Sequence, residues 1–116
     1  LREIRVVFAN GHEEDALLDH GSEIVVMRKD LWQELGLPLN TARVLRMQCA
    51  NGSWEQVLGC AEGAKVFVDG LCTSVNAYVV TDAPYRLLLG RPWQKSVQMG
   101  MRESARGAVQ VKVHDP

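Results

Sequence analysis

Apolar and polar positions change places every second residue through much of the chain, and the apolar runs are short. Ile4, Val6 and Phe8 recur at a period of two, the pattern of a half-buried strand, and Asn10-Gly11 follows as a turn that tolerates positive φ. Ala16-Leu17-Leu18 is a second apolar run, stopping at Asp19, and Ile24-Val25-Val26-Met27 is a third. Residues 44–49 and 54–58 flank Ala50-Asn51-Gly52-Ser53, where Asn-Gly predicts a hairpin turn matched to strand twist. Residues 64–68 and 74–80 around Asp69-Gly70 predict another hairpin, and 97–102 with 108–113 a last one. Helical signals are confined to 28–35, stopped by Gly36 with Pro38 beyond, and to one turn at 92–95 that Pro92 would open. The expected architecture is mainly β, a small barrel or sandwich with one or two short helices.

Composition narrows the classes of function. At 116 residues the chain fits one domain spanning 1–116, and its 47% apolar and 23% charged content is that of an ordinary soluble protein. Thirteen Lys+Arg against fourteen Asp+Glu leave a net charge of −1, with no long run of either sign. That argues against a nucleic-acid partner held by phosphate neutralisation and against a basic membrane anchor. No apolar run is long enough to span a bilayer, and no basic-then-apolar leader opens the sequence. Cys49, Cys60 and Cys72 are odd in number and lack a Cys-x-x-Cys pair, so they read as reduced thiols packed as small hydrophobes. An intracellular, cytoplasmic setting is expected from that. A start at Leu1 rather than Met suggests a piece of something longer, such as a polyprotein.

One segment carries chemistry. Asp19-His20-Gly21-Ser22 lies between two apolar runs, where a carboxylate is costly unless it is hydrogen-bonded or shares a proton. Gly21, without a Cβ, lets a substrate or a second backbone approach closely, and Ser22 is placed to hydrogen-bond the carboxylate and orient it. The plainer alternative is that Asp19 only caps a turn. His12, Asp15, Asp19 and His20 fit no common metal spacing, and 12–15 reads as a solvated hairpin turn, so no metal and no cofactor is expected. No cysteine sits in a nucleophile elbow or at a helix N-terminus.

Residues 16–22, ALLDHGS, resemble the active-site segment of retropepsin-like aspartic proteases, in which two hydrophobic residues precede Asp-Thr/Ser-Gly-Ser/Ala. LWQELGLPL at 31–39 resembles the stretch after that motif in gypsy-type retroelement proteases, and MQCANGS at 47–53 their flap hairpin. LLLGRPW at 87–93 is similar to their closing strand and short helix. The resemblance implies a closed β-barrel of the acid-protease kind, half of a two-fold dimer. It implies a homodimeric endopeptidase for extended peptides or a polyprotein, with Asp19 of each copy as the catalytic carboxylate. Aspartic proteolysis needs two carboxylates sharing one proton, and this chain holds only one Asp-x-Gly of that kind. The second carboxylate is therefore expected from a second copy.

Further roles follow from the same resemblance. Gly21 would offer its carbonyl to the substrate backbone, and Glu23 would line an outer pocket. Ala50, Asn51, Gly52 and Ser53 would fold over the substrate as a flap, with Trp54 packing on substrate or anchoring the hairpin. Leu88, Leu89 and Gly90 would support the Asp19 loop from below, and strands 2–7 and 108–113 would build the dimer sheet. His20 departs from the pattern: it stands where the family holds Thr or Ser, whose hydroxyl donates across the dimer axis. A protonated pair of His20 side chains would repel there and would favour ionisation of Asp19. The competing expectation is therefore an impaired or inactive module of the same fold, kept for dimerisation or peptide binding.

Overall fold

The computed structural model describes residues 2–43, 46–48 and 54–97. Among the described residues, eight strands and two helices follow the order β1 (Arg2–Phe8), β2 (Glu13–Leu18), β3 (Val25–Arg28), α1 (Lys29–Leu35), β4 (Arg46–Gln48), β5 (Trp54–Gln56), β6 (Gly59–Val68), β7 (Leu71–Val80) and β8 (Leu87–Leu89), with the second helix at 91–97. Six of the strands close a barrel in the order β1-β2-β8-β3-β7-β6, sealed where Val7 and Phe8 of β1 meet β6. β4 and β5 form a separate antiparallel hairpin. The mainly β reading is correct, and the architecture resolves to the barrel.

Local chemistry accounts for the turns. Gly11 adopts φ 88° between β1 and β2, and Asp69 and Gly70 both take positive φ, the combination that matches the twist of β6 and β7. α1 has one fully buried residue, Leu31, with Trp32 and Leu35 packed against the same core. It ends at Gly36 in the left-handed region, whose N–H reaches back to the carbonyls of Trp32 and Gln33.

Three expectations need correction. Residues 91–97 are helical, so the second helix is longer than one turn and Val97 belongs to it rather than to a strand. The reason is packing: Trp93 and Val97 lie four apart, and both are buried in the barrel core. Trp93 also donates its indole N–H to Thr73 Oγ1 on β7 at 3.0 Å. Residues 12–15 are not a solvated turn. Glu13, Glu14 and Asp15 open β2; its alternation sends Glu13 and Asp15 toward Arg5 and leaves Glu14 half-buried beside His12. Residues 57 and 58 fall outside β5. The flap residues 50–53 and the expected strand at 108–113 lie outside the described residues.

The strand faces separate two apolar clusters. Leu18, Val25, Met27, Leu87 and Leu89 point into the barrel with Val6, Phe8, Val66 and Val79. Leu17, Val26 and Leu88 point the other way, into a second cluster with Val57, Val80 and Tyr85. The β2–β8–β3 sheet is thus apolar on both sides, and the loop that joins β2 to β3 sits at its end. No helix among the described residues is long and apolar enough to cross a membrane.

Candidate active site

β8 lies between two strands that are consecutive in the chain. It runs parallel to β2, pairing Leu88 with Leu17 and Leu89 with Leu18, and antiparallel to β3, pairing Leu88 with Val26 and Leu87 with Met27. Residues 19–24 must therefore pass over the end of β8 to get from β2 to β3, and this crossing holds Asp19, His20, Gly21 and Ser22.

Backbone contacts tie the crossing to its floor. Asp19 N–H donates to the Leu89 carbonyl at 3.1 Å, and Arg91 N–H donates to the Ser22 carbonyl at 2.9 Å. Gly90 lies in between with no room for a side chain: a Cβ there would sit 2.2 Å from the Ile24 carbonyl oxygen and 2.7 Å from that of Ser22. Leu89 and Gly90 meet the loop, whereas Leu88 faces the second apolar cluster and supports Leu17 and Val26.

The side chains arrange themselves differently from one sequence expectation. Ser22 does not bond the Asp19 carboxylate. Its hydroxyl donates to the Ile24 carbonyl at 2.9 Å and accepts from Ile24 N–H at 3.3 Å, stapling the loop's exit into β3. The carboxylate is oriented by Gly21, whose N–H donates to Asp19 Oδ1 at 2.8 Å. Asp19 is half-buried, while His20 and Gly21 are exposed at the tip. A half-buried carboxylate with one backbone donor has spare acceptor capacity.

Glu23 comes next and pairs with Arg91 at the start of the second helix. It also borders a cleft of about 310 Å³ lined by Ile24, Asn76, Tyr78, Pro92 and Trp93. The Glu23–Arg91 pair had no sequence signal beyond the Gly90-Arg91 step itself.

A second charged group was also illegible in the sequence. His12 Nε2 lies 2.8 Å from Glu14 Oε1 and 4.0 Å from Glu34 Oε2, three groups of metal-ligating type. The Arg86 guanidinium lies against the same carboxylates, 3.6 Å from Glu14 and ion-paired with Glu34, so a cation of the protein's own faces them. Asp15, by contrast, faces Arg5 and is not part of the group. Nearby, Arg28 grips Asp30 with two hydrogen bonds of 2.8 and 3.0 Å. That grip holds the Asp30 carboxyl down at about 2. A carboxyl depressed in the folded state stabilises the fold above its ordinary pKa, and the benefit disappears as pH falls through the folded value. Asp30→Asn is thus expected to flatten the fall of the unfolding midpoint between about pH 4 and pH 2. At pH 7 the midpoint should drop by the same amount that the acid limb no longer loses, a small one because the pair is half-exposed; thermal melts at pH 7 and across that range check both.

Cys60 is buried, and burial pushes its thiol pKa up, which keeps the thiol protonated and unreactive. Cys72 is exposed and free, and Cys49 lies outside the described residues.

Comparison with known proteins bears on the family and the fold. A family model described as aspartyl protease matches residues 4–93. Among solved structures, the retroviral protease-like domain of Ddi1 from Leishmania major superposes with a TM-score of 0.63 at 19% identity. The match covers 76% of this chain and 70% of that one. At that identity the likeness is one of fold. No curated protein matches the chain.

Proposed function

The chain belongs to the aspartyl protease family, and from that premise we propose that it acts as a homodimeric endopeptidase on extended polypeptide. The observation that carries the proposal is the single carboxylate at the loop tip. Asp19 is held by Gly21 N–H at one oxygen, while the two nearest acidic neighbours in sequence, Asp15 and Glu23, are engaged by Arg5 and Arg91. One carboxylate cannot polarise a scissile carbonyl and activate water at the same time. A second Asp19, brought in by a second copy across a two-fold axis, supplies the missing group. Two such carboxylates cannot both be ionised at close range, so the pair shares a proton and offers an acid and a base together.

Other features support the reading. His20 and Gly21 are exposed beside Asp19, so a partner copy has access. Over Arg2–Val6, β1 has no strand partner opposite β2 among the described residues, leaving an edge for the sheet between copies. The β4–β5 hairpin is the flap of this proposal, with Ala50, Asn51, Gly52 and Ser53 at its tip, closing over substrate and excluding water. Gly21 offers its carbonyl to the substrate backbone, and Glu23 lines the outer pocket. The substrate is a peptide or polyprotein segment bound as an added strand.

His20 favours a second reading, a dimerising or peptide-binding module without activity. An exposed imidazole next to the axis replaces a compact hydroxyl, and when protonated it repels its symmetry mate. One experiment separates the readings: cleavage of a diverse peptide mixture from pH 4 to 7, over a range of protein concentrations. The protease reading expects specific activity to rise with concentration as dimers form, and His20→Thr to gain most on the acid side. Silence from both proteins at concentrations where sedimentation shows a dimer would establish the inactive module. A chain that stays monomeric at high concentration would overturn the homodimer.

A further inference from the structure

β8 is three residues long and consists of three leucines, so side-chain identity cannot fix its register. It makes only two residue pairs with β2 and two with β3. Sliding it by one position would put leucine for leucine at two of the three sites and bring Gly90 or Arg86 into the third, so the strand's own sequence resists a slide only at its ends. The Asp19 backbone nevertheless depends on that register, because it is the Leu89 carbonyl that accepts its N–H. Something at the ends of the strand must set its depth. Gly90 is one stop, wedged under the Ile24 and Ser22 carbonyls.

Arg86 is the other. Its side chain is 28% exposed and reaches carboxylates on two elements. Nε lies 3.6 Å from Glu14 on β2 and 3.9 Å from Asp30 on α1, and Nη2 pairs with Glu34 on α1. The Arg86 carbonyl accepts the N–H of Arg28, the last residue of β3. Arg28 in turn donates to the Ala83 carbonyl, which pins the segment leading into β8. A one-position slide would pull Arg86 away from three carboxylates and leave them facing Arg28 and His12 alone.

We propose that Arg86 is a positioning residue for the Asp19 loop: its grip on Glu14 and Glu34 sets how far β8 enters between β2 and β3, and so where the Leu89 carbonyl holds Asp19. The expected effect on catalysis rests on the protease reading. The effect on the loop does not, and the test reads both.

Amide hydrogen exchange is measured on the unaltered chain, Arg86→Met, Arg86→Lys and Glu34→Gln. Val66→Ala, in the barrel core on β6, serves as a control for general destabilisation. Arg86→Met should speed exchange at the Asp19 amide by about tenfold or more relative to the β6–β7 amides, with Arg86→Lys and Glu34→Gln in between. Val66→Ala should speed the β6–β7 amides at least as much as Asp19. In cleavage assays Arg86→Met should lower kcat with KM little changed. Unchanged exchange at Asp19 in Arg86→Met, or acceleration spread evenly as in Val66→Ala, would overturn the proposal. An unaltered chain that cleaves nothing would refute the protease reading and leave the exchange result to decide this one.

Discussion

Replacing Asp19 with Asn is expected to abolish peptide cleavage while leaving the fold intact. The amide keeps an Oδ1 acceptor for Gly21 N–H, the one hydrogen bond the side chain makes to the loop. It cannot carry the shared proton, so the acid–base pair is lost and cleavage should drop by about 10²–10⁴-fold or more. The dimeric reading makes a sharper statement about mixtures. A dimer of one normal and one Asn chain has a single carboxylate and should be as dead as the double variant. After subunits exchange at equal amounts, about one quarter of dimers are fully normal, so activity should fall to about a quarter rather than a half. Varying the proportion of the Asn chain at constant total concentration and following cleavage checks this; a linear decline would mean that each chain works alone.

The second large effect is expected at Gly90. An alanine there places its Cβ 2.2 Å from the Ile24 carbonyl oxygen and 2.7 Å from that of Ser22. Both obstacles are backbone, so no side chain can rotate away, and the crossing that carries Asp19 must lift off β8. Loss of about 3 kcal/mol is the scale of such overpacking, a large share of a small domain's stability. Denaturant unfolding should show a lower midpoint, and cleavage should fall even where the protein remains folded. Gly21→Ala is a useful contrast: its nearest heavy atom is Asp19 Oδ1 at 3.3 Å, a contact that a small shift relieves.

Much of the fold was legible because local chemistry decided it. Asn10-Gly11 and Asp69-Gly70 announced their hairpins, and Gly36 the end of α1, since each needs a backbone conformation that few residues adopt. The period of two in β1 survived folding, because one face of that strand meets the core and the other does not. β8 could not be placed in this way. Leu87-Leu88-Leu89 has apolar neighbours on both faces, so it shows no alternation, and nothing local says that it enters between β2 and β3. The helix at 91–97 was underestimated because Ser96 and Val97 are weak helix formers that give no local signal past Lys95, while Trp93 and Val97 are held by the barrel.

The candidate site was legible in its order and not in its wiring. Asp19-Gly21 stood out by type and by resemblance, and the structure adds which group holds which. Ser22 bonds Ile24 instead of the carboxylate, because its hydroxyl is closest to its own chain two residues on. Glu14, Glu34, Asp30 and Arg86 looked like ordinary surface charge, since their meeting depends on the packing of α1 beside β2 and β8.

The placement of β8 also has a consequence in time. During synthesis the loop with Asp19 leaves the ribosome early, whereas the strand beneath it comes near the end of the barrel sequence. Until Leu87–Leu89 arrives, β2 and β3 have a gap between them and the loop has no floor. A growing or truncated chain therefore carries the carboxylate without the geometry to use it. If this barrel is born inside a longer polypeptide and works as proposed, that delay would keep it from cutting its neighbours before it is itself complete.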